Sequence, residues 1–499
     1  MKWIRWCVVV MMLFCVQGVA GSDVRPAVVA GKFYPDDPAR LSAVIDTLMQ
    51  QAATSDMEPP VAMVVPHAGY VYSGQICADA FKLASRSSFD RIVLLGTNHT
   101  YPDFQGISVY ETGAFETPLG KIPIDEELAK KLLSTGSPVT ANRRVHAWEH
   151  STEVVLPFIQ KVFPKAKLIP IVVGGADMEM CNKFGRVLAE AIQGKNALII
   201  ASSDLCHYPD YSDGVQSDRS VLNAMKSLDP AVLVNEVHRV ENQRKPNLAT
   251  TACGLGPILT AMAAARSLGA DCGRVISHAN SGDTTLGERS RVVGYAAVSF
   301  CWATKPCGEP LSAQTSAAAT SLTDEQKQVL LAFARNTIRQ YLETETTPLF
   351  RRDDPVFQQK QGAFVTLKKH GELRGCIGQM TEDLPLYQTV GRMAISAALH
   401  DSRFTRLSLS ELKDVEIEIS VLTPYQRVDS ADKIQVGRDG VLLKRSGRSA
   451  VFLPQVAPEQ GWNRDEMLDN LCRKAGMSSD CWRQGAEFHT FQAIIFSEH

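Results

Sequence analysis

Between residues 24 and 302 the chain alternates short apolar runs with longer stretches in which apolar residues recur at helical intervals. The runs at 61–66, 91–96, 168–173, 197–202 and 292–300 are rich in Val, Ile, Leu and Ala, as strands covered on both faces require. Strands separated by helices predict an α/β fold with a mostly parallel sheet flanked by helices. From 303 to 321 the pattern dissolves into Pro, Ser, Thr and Ala without periodicity, which reads as a linker. Beyond it Thr323 and Gln326 have the spacing of a capping box, and Leu330, Phe333, Ile338, Tyr341 and Leu342 follow at helical intervals. A second domain is therefore expected over 322–499, with helices at 323–343, 384–399 and 463–475 and strands near 362–368, 415–422, 440–445 and 450–453. That mixture predicts a smaller α+β unit. No internal repeat links the two halves.

The amino terminus breaks the pattern. Lys2 and Arg5 precede an apolar run over 6–19, and Gly18-Val19-Ala20 supplies small residues for cleavage, so 1–20 reads as a secretory signal peptide. Export to a periplasmic or extracellular space follows, with an uncleaved membrane anchor as the alternative. The run is shorter than the ~20 residues that cross a bilayer comfortably, and no second such segment occurs, so no stable span is expected after cleavage.

With 45% hydrophobic and 21% charged residues among 499, the chain has material for real cores, which excludes collagen-like, coiled-coil and wholly disordered classes. Lys and Arg total 52 against 54 Asp and Glu, which gives no electrostatic reason to expect a nucleic-acid partner. Cleavage would leave ten of the 12 cysteines in an oxidising compartment. No CxxC pair is present, so neither a zinc ribbon nor a thioredoxin-like motif is supported. Cys301 and Cys307 bracket a turn at Pro306 and are expected to pair.

Polar residues at the strand ends change the picture. The run 61–66 leads into His67-Ala68-Gly69-Tyr70, 91–96 into Asn98-His99, and 197–202 into Asp204 and His207. Carboxyl ends of strands are where open α/β sheets place their sites. Imidazole is both a metal ligand and a base near neutral pH. Any one of these histidines alone is as well explained by capping or packing; several converging on one crevice point to chemistry. Cys253, in Thr250-Thr251-Ala252-Cys253-Gly254, precedes a helix over 254–266, whose positive end lowers a thiol pKa; the plainer reading is a small buried side chain. His146-Ala147-Trp148-Glu149-His150 competes for some of these residues. It is an H-x-x-E-H string, the zinc and general-base arrangement of inverted metallopeptidases, with Glu153 continuing the helical face. A peptidase also needs a distal carboxylate ligand and leaves the strand-end histidines without a role.

PHAGYVYSG (66–74), LLGTNH (94–99), EHSTEVVLPF (149–158), IIASSDLCHY (199–208) and TTACGLGP (250–257) together resemble the Memo family over nearly all of 24–300. The resemblance implies a fold similar to the LigB-type class III extradiol dioxygenases, with one metal ion in the sheet-end crevice. By motif, His67, His99 and Cys253 match the metal ligands, while Glu149, His150, Asp204 and His207 line the pocket, His207 at the place of the acid/base histidine. Those dioxygenases hold Fe(II) with two His and a carboxylate; here a thiolate replaces the carboxylate, so iron is the first expectation and copper or zinc the alternatives. GELRGCIGQ (371–379), ALHDSRFTRLSLSEL (398–412), VEIEISVLTP (415–424) and VFLPQVAPEQGW (451–462) resemble the AMMECR domain over 322–495. There Arg374 and Cys376 are a candidate ligand or redox site beside His400, Asp401 and Arg403; the competing reading is a tight packing turn around a buried thiol. The fusion is similar to the AmmeMemoRadiSam set and implies a functional link to a radical-SAM protein. Three readings result: a metal-dependent redox enzyme using O₂ on a small substrate, a module that binds a metal, peptide or small ligand without turnover, and a zinc peptidase.

Overall fold

The structure, a computed structural model, describes residues 23–54, 57–175, 177–302, 322–352, 354–483 and 485–498; the expected signal peptide and linker lie outside the described residues. In the first domain the strands are β1 (Val24–Arg25), β2 (Ala62–Val65), β3 (Arg91–Thr97), β4 (Gly106–Val109), β5 (Ala114–Thr117), β6 (Gly120–Pro123), β7 (Val139–Thr140), β8 (Lys167–Gly174), β9 (Ala197–Ser202), β10 (Cys272–Asn280) and β11 (Gly294–Cys301). Eight of them form one sheet in the order β10-β11-β2-β9-β3-β8-β4-β7. Its centre, β2-β9-β3-β8, is parallel, whereas β11 on β2, β10 on β11 and β4 on β8 run antiparallel, so the sheet is mixed around a parallel heart. Central strands are buried along nearly their whole length, as their unbroken apolar runs require. Helix Tyr70–Ala84 packs on β2, β10 and β11, and helix Leu255–Ser267 on β2, β3, β8 and β9.

The second domain adds β12 (Ala363–Lys369), β13 (Glu372–Gln379), β14 (Val415–Leu422), β15 (Gln426–Val428), β16 (Gly440–Arg445), β17 (Arg448–Phe452), β18 (Glu487–Phe491) and β19 (Ala493–Ser497). They make two four-stranded antiparallel sheets, β13-β12-β14-β19 and β15-β18-β16-β17. Each has its own core, the first closed by helices Asp324–Thr344 and Leu386–Leu399, the second by helix Arg464–Lys474. The Thr323 and Gln326 capping box forms as expected. Among the described residues no helix is long and apolar enough to cross a membrane.

Two expectations are corrected. GELRGCIGQ is not a packing turn: residues 372–379 are β13, an edge strand whose Cys376 lies in register with Thr366 of β12. The expected pair of Cys301 and Cys307 does not form, because Cys301 is a buried free thiol at the end of β11; its cross-strand neighbour Cys272 is disulfide-bonded instead. Cys472 and Cys481 form a second disulfide, tying helix Arg464–Lys474 to the turn that follows.

Candidate metal centre

Parallel pairing brings the ends of β2, β9 and β3 to one edge, with Val65 beside Ser202 and Leu95 beside Ala201. His67, Asp204 and His99 therefore leave the sheet at one level. Cys253 arrives from the opposite direction, just ahead of helix Leu255–Ser267. Gly254 permits this: a Cβ there would stand 2.6 Å from the Ser202 carbonyl oxygen, and its N–H donates to Ser203 Oγ at 2.9 Å.

Ligand-type atoms of His67, His99 and Cys253 all lie within 4.8 Å of one another, and so do those of His99, Glu149 and His150 and those of Asp204, His207 and Cys253. The three groups overlap, so all seven residues expected to share the pocket are in one patch. His67 Nδ1 pairs with Ser202 Oγ at 2.9 Å, which leaves Nε2 facing Cys253 Sγ at 3.4 Å. His99 Nδ1 meets Glu149 Oε1 at 2.9 Å, so its Nε2 is likewise the free nitrogen. Glu149 also accepts the backbone N–H groups of His99 and Ser151. Asp204 accepts the N–H of His67 at 2.9 Å. His207 Nε2 is buried and has no hydrogen-bond partner among the described residues.

The electrostatics suit an incoming cation. Burial, then the neighbouring His99, holds His67 well below its ordinary value; His150 is lowered by the same two causes, and His207 falls to about 4. These imidazoles are neutral at pH 7 and keep lone pairs for a metal or a proton. Burial, then Asp204, pushes the Cys253 thiol up, which corrects the expectation that the adjacent helix would lower it: desolvation outweighs the helix terminus. A bound cation reverses that balance and favours the thiolate. Asp204 itself is raised to about 7 by burial. Glu149 is lowered in spite of its burial, by hydrogen bonds from His99 and Ser151. Two imidazole nitrogens with both Nδ1 atoms engaged, and a thiol at contact distance, are a donor set that fits a single borderline or soft ion.

A clamp from the amino-terminal arm supports this patch. Arg25 is buried and donates to the carbonyls of His146 at 2.8 Å and Glu149 at 2.7 Å and to Glu153 Oε2 at 2.5 Å. Glu153 in turn accepts the N–H groups of Val28 and Val29 and the Tyr34 hydroxyl. Phe33 lies 5.1 Å from the His150 ring centre. Arg25, Phe33, Tyr34 and Ser202 escaped the sequence reading, because only the fold brings the arm against 146–153.

The H-x-x-E-H string does not act as one helical face. Helix Arg143–Ala147 ends before Glu149, and the His146 ring is buried against Ser108 Oγ at 3.0 Å, outside every ligand group. Burial, then Arg25, lowers its pKa to about 3. Glu149 and His150 join the centre while His146 does not, which removes the zinc arrangement of a peptidase. In the second domain, Asp401 accepts the N–H of Cys376, and Arg403 donates to the Cys376 carbonyl and to Asp401. Arg374 is committed to Glu411.

Residues 25–299 match the family model described as Memo-like protein, and residues 331–496 the one described as AMMECR1. A MEMO1 family protein of Aquifex aeolicus is 37% identical over 278 residues, which are 56% of this chain and 99% of that protein. One from Desulfurococcus amylolyticus is 34% identical over 289 residues, covering 55% and 98% of the two chains. Among solved structures, an uncharacterized protein from Pyrococcus horikoshii is 36% identical, with a TM-score of 0.34, over 36% of this chain and 94% of that one.

Proposed function

Because the chain belongs to the Memo-like protein family, we propose that its first domain is a mononuclear metal centre with His67, His99 and Cys253 as ligands. Iron is the first choice, with copper and zinc as alternatives, and the chemistry is redox, using O₂ on a small oxidisable substrate. The observation that carries this reading is the grouping of those ligand atoms within 4.8 Å, with both Nδ1 atoms already engaged. The bound ion would supply Lewis acidity and electron transfer.

The chain's own residues have distinct tasks in this reading. Ser202 and Glu149 fix the two rings so that Nε2 points inward. Asp204 holds the backbone at His67. His207, neutral at pH 7 and with Nε2 unpartnered, is the group that accepts a substrate proton. Trp148 and Tyr208 are exposed and adjoin Glu149 and His207 in sequence, and exposed Tyr101 lies two residues from His99, which offers ring surfaces for an organic ligand. The same rings favour the second reading, a module that binds a peptide or small ligand without turnover.

Elemental analysis of the full chain purified anaerobically, native and as Cys253→Ala, tests the proposal. Roughly one iron or copper per chain, lost in the variant, supports it and justifies a screen for O₂ consumption. Metal retained without Cys253 overturns the ligand set, and binding of ligands with no metal and no turnover favours the module. Export is proposed with it, supported by the amino-terminal apolar run and by the Cys472–Cys481 disulfide. The functional link to a radical-SAM protein rests on the two-domain fusion.

A further inference from the structure

The second domain touches the first at several places, among them an exposed pair of Arg40 with Glu345, and two of these contacts engage elements that lead to site residues. Helix Leu386–Leu399 presents Gln388, which is fully buried and donates its amide to the carbonyls of Gly282 at 3.3 Å, Thr284 at 2.8 Å and Gly287 at 2.9 Å. One turn on, Arg392 donates to the carbonyls of Thr285 at 2.8 Å and Gly287 at 2.5 Å. Between them Gly391 lies against Thr285 so closely that a Cβ would come within 2.8 Å of its methyl group. Two side chains thus donate to four carbonyls of one loop, 282–287, of which that of Thr284 also accepts the Gly287 N–H. At the second place Arg351 donates to both oxygens of Asp79, at 2.9 and 2.7 Å. Asp79 is fully buried on helix Tyr70–Ala84, which starts just after His67.

The gripped loop continues without interruption into the segment that holds His207. The N–H of Tyr211 donates to the Arg289 carbonyl at 2.9 Å, that of Tyr208 to Val292 at 2.7 Å, and that of Leu205 to Gly294 at 2.7 Å, while His207 forms a bridge with Val293. Side chains follow the same line: Tyr211 donates to Asp283 at 2.6 Å, the Arg289 guanidinium lies 3.8 Å from the Tyr211 ring centre, and that of Arg291 lies 4.7 Å from the Tyr208 ring centre. Leu205, Tyr208 and Tyr211 therefore donate their backbone N–H groups to 289–294, while those of Cys206 and His207 go to Asp218 and Thr250, and 282–287 is held by the other domain.

We propose that the second domain positions the first domain's site, with Gln388 and Arg392 as positioning residues that fix His207 through the loop 282–294. The inference rests on the reading of His207 as a member of that site. Neither side chain touches the centre; their effect passes through backbone hydrogen bonds that also set how far His207 Nε2 stands from Cys253 and Asp204.

The test uses the full chain as Gln388→Ala, Arg392→Ala, the double variant and Arg392→Lys, followed by amide hydrogen exchange on metal-free protein. In the double variant the amides of Leu205, Tyr208 and Tyr211 are expected to exchange at least tenfold faster, while those of β3 keep their native rates and Arg392→Lys restores most of the protection. Acceleration confined to 282–288 overturns the proposal, since the loop then absorbs the loss. Uniform acceleration across the first domain also overturns it, because the contact is then only a general prop. Iron release from the loaded chain gives a second readout, expected to quicken in the double variant and to stay native in a variant at an exposed site such as Lys474→Ala. Native protein that binds no metal ion defeats the reading of the centre, and the exchange result still decides the positioning role.

Discussion

Cys253 and Cys376 both lie at the margin of a sheet, one in each domain, and their surroundings differ in kind. Around Cys253 stand the imidazoles of His67 and His207, which burial keeps neutral; Nε2 of His67 faces the thiol itself at 3.4 Å, and Nε2 of His207 has no partner among the described residues. Around Cys376 the charges are formal and mutually cancelled: Arg403 pairs with Asp401, and Arg374 with Glu411, whose pKa is drawn down to about 2 by that hydrogen bond. Both thiols are engaged by the protein: Thr366 donates to the Cys376 sulfur at 3.3 Å, and the Asp204 N–H to the Cys253 sulfur at 3.3 Å. Local charge therefore does not mark a binding centre. What sets the Cys253 surroundings apart is the clustering of ligand-type atoms, with the unpartnered Nε2 of His207 beside them.

The sharpest way to break this comparison is metal content. Cys253→Ala is expected to drop bound metal from roughly one ion per chain to background, and Cys376→Ala to leave it unchanged, measured by elemental analysis. Equal losses would erase the distinction. Next in size is the contrast between ion pairs. Arg25→Ala strands the buried Glu153 carboxylate and should cost about 3–5 kcal/mol by chemical denaturation. Arg403→Ala, at a half-exposed arginine, should cost about 0–1 kcal/mol.

A smaller effect separates the domains by pH. His146 has a folded pKa of about 3 against an ordinary 6.5, so its contribution is fully present above 6.5 and is lost as pH falls toward 3. Denaturation midpoints of the first domain should fall over that window, and His146→Gln should flatten the decline. Least of all, Thr366→Val removes one donor to a partly solvated sulfur and is expected to cost about 1 kcal/mol or less, with metal content untouched.

Much of this was legible in the chain. Buried parallel strands write themselves as unbroken Val, Ile and Leu runs, so β2, β3, β8, β9 and β11 were found, and the polar residues following β2, β3 and β9 pointed to their shared edge. The short strands β4 to β7 and the half-polar β10 were not, because runs of two to four residues and mixed burial carry no clear period. Helix periodicity placed all three long helices of the second domain but could not show that Gln388 faces another domain, since a buried Gln reads the same against any carbonyl. Arg25 was invisible for a related reason: its partners lie far along the chain, and nothing local distinguishes a clamp from a surface arginine. The H-x-x-E-H string misled because its five residues straddle a helix end.

Sequence distance gives the centre a birth order. Arg25 meets Glu153 after 128 positions, and His67 meets Cys253 after 186. In the proposed reading a ribosome makes the clamp first and the thiol last, so early ions would find only histidines and carboxylates, which are weakly selective among first-row metals. The proposed last ligand, Cys253, would join wherever the completed chain first folds. If that happens after translocation, the ion enclosed is drawn from the pool outside the cytoplasm, and the place of folding chooses the metal as much as the ligands do.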